Sequence, residues 1–143
     1  MKISLASDHG GLELKNKVAN YLEELGHSVT DYGTFSVDRC DYPDFARPAA
    51  LAVANGECER GILVCTTGIG VSMVANKIKG VRCALCVNAD MAKMTRAHNN
   101  ANVIAMGQKY VDFDTAKQIV DNFLNTPFDG GVHEVRVSKI ELD

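Results

Sequence analysis

The chain is 143 residues long, 46% hydrophobic and 23% charged, with 15 basic against 18 acidic side chains and a net charge of −3. A chain of this size buries roughly 68–70% of its unfolded surface, so a core forms without staples, and one domain spanning 1–143 is the expectation. The slight acidic balance argues against a nucleic-acid or anionic-membrane partner, and no apolar run reaches the roughly 18 residues of a membrane span.

The opening segment 2–7 reads as a first strand, too short and too soon polar for an export signal. Residues 12–25 carry apolar side chains at 14, 18, 21, 22 and 25, a helical stripe closed by Gly26. Residues 27–31 form a second strand and 32–42 a polar loop. Pro43 suits a helix start, and the alanine-rich stretch at 49–54 continues that helix. Residues 61–65 form a third strand, apolar throughout and so buried on both faces. A glycine-rich loop follows, then a helix to about residue 79. Strand four is expected at 81–87, a helix at 89–98 and strand five at 102–106. A helix at 112–124 takes Asp112 or Asp114 as its cap. Gly130 and Gly131 break the chain before a short basic segment, 132–142, that reads as helical. Regular β-α alternation predicts an α/β, Rossmann-like fold: a five-stranded parallel sheet in three layers, with helices on both faces. Ligands in such folds sit beyond the carboxyl ends of the strands. That points to the loops at 7–11, 32–42, 65–72 and 88–90.

The five cysteines, at 40, 58, 65, 83 and 86, form no paired zinc-ligand spacing. Their odd number suits reduced thiols in the cytoplasm. Cys83 and Cys86 form a C-x-x-C within a strand, where positions three apart face opposite sides, so they read as two small core side chains.

The chemistry concentrates in Cys65-Thr66-Thr67-Gly68-Ile69-Gly70-Val71-Ser72. Two glycines between a strand and a helix expose backbone N–H groups to a negatively charged oxygen, either a phosphate or a reaction oxyanion. Cys65 stands at the mouth of this nest. The plain alternative is a glycine turn beside a buried cysteine. A Walker loop and a dinucleotide fingerprint fail on spacing, and a cysteine-phosphatase loop fails because Val71 stands where an arginine is needed. A thiol, two threonines and bare amides suit proton transfer beside an enolate. Asp8 would reach the same carboxyl edge, or simply cap the next helix. His98 ends the fourth helix at the far edge of the sheet, where it either compensates the helix dipole or serves a site across a dimer interface.

Together these residues carry a resemblance. Ser7-Asp8-His9-Gly10-Gly11, Asp41-Tyr42-Pro43-Asp44, the loop at 65–72, Ala75-Asn76-Lys77, Arg96-Ala97-His98-Asn99-Asn100 and Gly130-Gly131-x-His133-x-x-Arg136 are similar, in order, to the type B ribose-5-phosphate isomerases. The wider family includes galactose-6-phosphate and allose-6-phosphate isomerases. The resemblance implies a metal-free, cofactor-free aldose–ketose isomerase acting on a small phosphosugar through an enediolate. It implies Cys65 as the base moving a proton between C2 and C1, assisted by Thr67, with Ser72 nearby and the amides from Gly68 through Gly70 to Ser72 holding the enediolate oxygen. Asp8 and His98 match the ring-opening groups, His98 coming from a partner subunit. His9, Tyr42 and Asn99 match substrate contacts, and Lys109, His133 and Arg136 fall at the phosphate end. It further implies a homodimer with shared sites, or a tetramer built from it, with segment 130–143 packed on the partner.

Three positions depart from the family pattern. Val132 and Lys109 replace arginines, and Thr66 replaces a common glycine. Lysine supplies charge without the bidentate fork. Ribose 5-phosphate is the expected substrate; a four- or six-carbon sugar phosphate, or a non-catalytic phospho-ligand module, are the alternatives.

Overall fold

The computed structural model describes residues 1–142. Its elements are β1 (Lys2–Ser7), α1 (Leu12–Glu24), β2 (Ser28–Asp31), α2 (Tyr42–Ala54), β3 (Arg60–Cys65), α3 (Ile69–Ala75), β4 (Cys83–Leu85), α4 (Ala89–Asn99), β5 (Val103–Gly107), α5 (Phe113–Asn125) and α6 (Val132–Ser138). All strand pairs are parallel, in the order β2-β1-β3-β5-β4. The expected α/β architecture, a five-stranded parallel sheet between two helical layers, is the one that forms.

Strand periodicity divides the core into two. Ile3, Leu5, Ile62, Val64, Ile104 and Met106 face Leu14, Val18 and Leu22 of α1 and Ile119, Val120 and Phe123 of α5. Ala6, Leu63, Val103 and Ala105 face the alanines of α2 and Val71 and Ala75 of α3. Small side chains let α2 approach closely: Ser4 Oγ donates to the Ala49 carbonyl at 2.8 Å. Side-chain caps start the later helices. Asn88 Oδ1 accepts from the Met91 N–H and Asp112 Oδ1 from the Thr115 N–H, each at 2.8 Å, so Asp112 is the cap and Asp114 sits inside the first turn.

The strand order positions the site. After β1 the chain adds β2 on one side, and α2 then returns it across β1 to β3, so the loops after β1 and β3 flank a crevice at the carboxyl edge. β5 lies between β3 and β4, and the loop after β5, not the one at 88–90, therefore borders the β3 loop. The expectation for 88–90 is corrected on that ground, because β4 is the sheet edge.

Two predicted elements are shorter than the sequence pattern suggests. The helix after β3 ends at Ala75 and β4 shrinks to three residues, because Asn76 intervenes. Its Nδ2 donates to the Cys83 carbonyl at 2.9 Å and its Oδ1 accepts the Cys83 N–H at 2.8 Å. The asparagine thereby acts as a strand partner for the sheet edge. Cys83 and Cys86 fall into opposite cores, as alternation requires.

The helical stripe of α1 differs at both ends. Leu25 is half exposed, whereas Lys15 is fully buried. The Lys15 ammonium lies 2.9 Å from Asp31 Oδ1, donates to the Thr34 carbonyl and sits 4.7 Å above the Phe35 ring. Asp31 Oδ1 also accepts the Gly33 N–H at 2.8 Å. One buried cation thus ties α1, β2 and the start of the segment leading to Tyr42. Removing one partner of such a pair leaves an uncompensated charge, so Lys15→Ala is expected to cost about 3–5 kcal/mol in urea unfolding; a loss below about 1 kcal/mol shows that the tie does not hold the fold.

Candidate active site

The turn after β3 is built by close backbone approaches. Cys65 pairs with Gly107 across the sheet, and Ser7 with Val64. A Cβ on Gly11 would fall 2.6 Å from the Val64 carbonyl, and one on Gly107 2.5 Å from the Thr67 backbone. Gly68 has φ +78°, and a Cβ there would stand 2.6 Å from Leu85 and 2.8 Å from the Met106 backbone. Glycine is required at Gly68 both by conformation and by space. The segment after β5 closes the turn, with Gln108 N–H donating to the Cys65 carbonyl at 2.9 Å and Lys109 N–H to the Thr66 carbonyl at 3.0 Å.

This turn aims amides at the thiol and at the space beside it. Cys65 Sγ accepts the Gly68 N–H at 3.1 Å. Thr67 Oγ1 accepts the Ile69 N–H at 3.2 Å, and the Ser72 N–H is donated to the Gly68 carbonyl at 3.3 Å. Ser72 Oγ donates to the Ile69 carbonyl at 2.7 Å. Among the described residues the Gly70 and Val71 N–H groups have no partner, which leaves them for an incoming oxyanion. The Tyr42 ring stands against Gly70, where a Cβ would fall 2.7 Å from its Cζ.

The β1 loop forms the other wall. Asp8 is buried, and its Oδ1 accepts the Gly11 N–H at 3.1 Å, so it caps the short 3-10 turn His9–Gly11 while standing next to the β3 loop. A Cβ on Gly10 would fall 2.1 Å from Thr66 Oγ1. The Thr66 side chain therefore fills room that Gly10 leaves free, which accommodates that departure. His9 Nδ1 accepts the Cys40 N–H at 3.2 Å and drapes the 32–42 segment over this wall.

His98, Asn99, His133 and Arg136 gather elsewhere, lining one cavity of about 370 Å³. α4 starts at the carboxyl edge and runs back for eleven residues, so His98 lies about 14 Å along the helix toward the amino edge. The His98 and His133 rings stack at 4.1 Å with an interplanar angle of 9°. Asp129 donates its N–H to the Ala97 carbonyl at 3.0 Å and brings Oδ2 to 3.9 Å from His98 Nε2. Lys109 belongs with the Cys65 group, Arg136 with the His98 group, and Val132 is exposed.

Sequence reasoning passed over Gln108, which also accepts the Leu14 N–H at 3.0 Å, and Cys40 beside His9. The glycine after strand five is the signal for the first, since it marks close backbone contact; Cys40 carries no local signal.

A family model described as "Ribose/Galactose Isomerase" matches residues 3–140. The chain is 45% identical to ribose-5-phosphate isomerase B of Escherichia coli over 139 residues, covering 97% of this chain and 93% of that protein. Ribose-5-phosphate isomerase B of Clostridium thermocellum is 49% identical and superposes with a TM-score of 0.97, covering 98% of this chain and 95% of the other. A Mycoplasma genitalium ribose-5-phosphate isomerase B with bound ribulose-5-phosphate is 43% identical, with a TM-score of 0.93 over 97% of this chain and 93% of that one.

The thiols separate by environment. Burial pushes Cys86 up to about 12 and raises Cys58 and Cys83 as well, which keeps all three protonated at neutral pH. Iodoacetamide reacts with thiolate, so at pH 7.5 mass spectrometry should find Cys86 unlabelled in the folded protein, with adducts there only as the pH climbs toward about 12 or the chain unfolds. Early labelling of Cys86 contradicts the packing.

Proposed function

The chain belongs to the ribose/galactose isomerase family, and we propose on that premise that it interconverts ribose 5-phosphate and ribulose 5-phosphate through an enediolate. The observation that carries this reading is the Cys65 sulfur seated on the Gly68 N–H, beside the unpartnered Gly70 and Val71 amides. A sugar C–H is too weak an acid to yield its proton unless a base and oxyanion donors are placed together.

In this reading Cys65 takes the C2 proton of the open-chain aldose and returns it to C1. The negative charge formed on the sugar oxygens is held by the amides of Gly70 and Val71, and the Thr67 hydroxyl relays the oxygen-bound proton. Asp8 and His98 open the furanose ring by general acid–base transfer, while His9, Tyr42, Ser72 and Asn99 orient the substrate. The phosphate falls to Arg136, Lys109 and His133, since Val132 offers no donor. The isomerisation is redox-neutral, so it needs no redox cofactor, and on this reading the Gly70 and Val71 amides take the part a metal ion would play at the enediolate oxygen.

The separation of the two residue groups supports a shared site. Cys65 and Lys109 lie at the carboxyl edge and His98 and Arg136 toward the amino edge, so one chain completes a site with the His98 group of a second. The partner is then a second copy, in a homodimer, and α6, which buries none of its residues in the single chain, packs on that copy with the rest of 130–143. Asp143 lies outside the described residues. No helix among the described residues is long and apolar enough to cross a membrane, which suits a cytoplasmic enzyme.

Cys65→Ala should lower kcat by at least about 10²-fold in a ribose 5-phosphate isomerisation assay, the low end for a general base, with the urea midpoint nearly unchanged. Undiminished turnover overturns the assignment of Cys65. Mixing inactive Cys65→Ala and His98→Ala subunits should regenerate activity in hybrids holding one intact site. If subunit exchange is demonstrated and activity stays absent, the two groups do not act across an interface.

A further inference from the structure

The mechanism gives Asp129 no part, yet its carboxylate closes a group of three metal-competent side chains. One ligand atom from each of His98, Asp129 and His133 lies within 4.8 Å of the other two. Asp129 is fixed to the end of α4 by its N–H bond to the Ala97 carbonyl. His133 sits on α6, which buries no residue within the chain, and its ring is held against His98 by stacking alone. Both His98 and Asp129 are about half exposed in the single chain, and in the shared site they line the space that admits substrate, so an ion enters by the same opening.

We propose that His98, Asp129 and His133 form an inhibitory site for a borderline divalent transition ion such as Zn²⁺. Two imidazole nitrogens and one carboxylate oxygen make an N₂O donor set that suits Zn²⁺ over Ca²⁺ or Mg²⁺, which prefer all-oxygen shells. Tetrahedral zinc holds such ligands about 2.0–2.1 Å from the metal, hence about 3.4 Å apart. His98 Nε2 and Asp129 Oδ2 are already 3.9 Å apart. The stacked imidazoles must tilt toward one another to converge on one ion, a rotation of side chains alone. The cavity in front of them leaves the fourth position to water or an anion, and Arg136 on its wall opposes a cation while favouring an anionic fourth ligand.

The bound ion takes the lone pair of His98 Nε2. On the reading that His98 opens the sugar ring, metal binding then stops that step, and the site acts as a reversible brake. The inhibitory role rests on the proposed function; the binding does not.

Calorimetric titration of the EDTA-washed full-length protein with Zn²⁺, in a non-chelating buffer, tests the binding. One ion per chain is expected. Asp129→Asn and His133→Gln should each weaken binding at least tenfold, while Cys65→Ser changes it less than twofold. Circular dichroism on the same samples checks that each variant is folded, and both side chains are exposed enough for substitution. No binding, binding indifferent to Asp129→Asn and His133→Gln, or binding lost in Cys65→Ser overturns the site; the last outcome assigns the ion to the thiol. In the isomerase assay, EDTA should restore activity lost to Zn²⁺, and Asp129→Asn should raise the half-inhibiting Zn²⁺ concentration at least tenfold relative to wild type. Stoichiometric binding without inhibition overturns the brake. Expected binding in a metal-free protein inactive on ribose 5-phosphate keeps the site and rejects the proposed function.

Discussion

Everything at the carboxyl edge depends on how closely the backbone is held between Val64 and Gly68. Gly11 presses on Val64, Gly107 on Thr67, and Gly68 itself is wedged against Leu85 and the Met106 backbone. A methyl group at any of the three would fall about 2.6 Å or less from its nearest neighbour, too close for a rigid backbone to yield. This glycine collar turns a strand end into a chemical site. It bends the chain sharply enough to return the Gly68 N–H to the Cys65 sulfur, and it leaves the next amides pointing into the crevice. Backbone dipoles therefore supply the electrostatics at the sulfur itself, whose hydrogen-bond donor is the Gly68 N–H.

The rest of the sheet serves that collar. Two hydrophobic cores of similar extent fix β3 from both faces, and the alanine surface of α2 admits a helix close enough for Tyr42, in its first turn, to lie over Gly70. On the other face the buried Lys15 fixes the start of the segment that ends at Tyr42. The Tyr42 ring is thus positioned from both layers. The second residue group obeys a different geometry. His98 rides the last turn of α4 and so inherits the helix direction, which carries it away from the thiol as surely as the collar holds the thiol in place.

Most of the fold was legible because each layer writes a different period. The apolar runs at β3 and β5 and the 3.6-residue stripe of α5 are direct consequences of burial on two faces and on one. Where the reading failed, a single polar side chain had replaced a backbone rule. Asn76 ends a helix whose apolar pattern continues, and Lys15 is buried in a stripe where composition predicts Leu25 instead. The order of β4 and β5 has no local signature at all. It is fixed by which strand β3 accepts as neighbour, and that decided which loop borders the site. Glycine spacing disclosed the tight turn after Cys65, but not that Gly68 gives its N–H to the Cys65 sulfur and Ser72 its own to the Gly68 carbonyl, and the contribution of Gln108 depends on strand order and became visible only in three dimensions.

Consider finally the sequence separation of the collar. Gly11, the 64–68 turn and Gly107 are some fifty and forty residues apart, and each must be in register before the turn can close. Contacts of that range carry a loop-closure cost before they bring any stabilisation. The sulfur therefore acquires its amide partner only when β1, β3 and β5 are all aligned. The geometry at the end of β3 is thus a joint property of the three central strands, and β2 and β4, at the sheet edges, lie outside it.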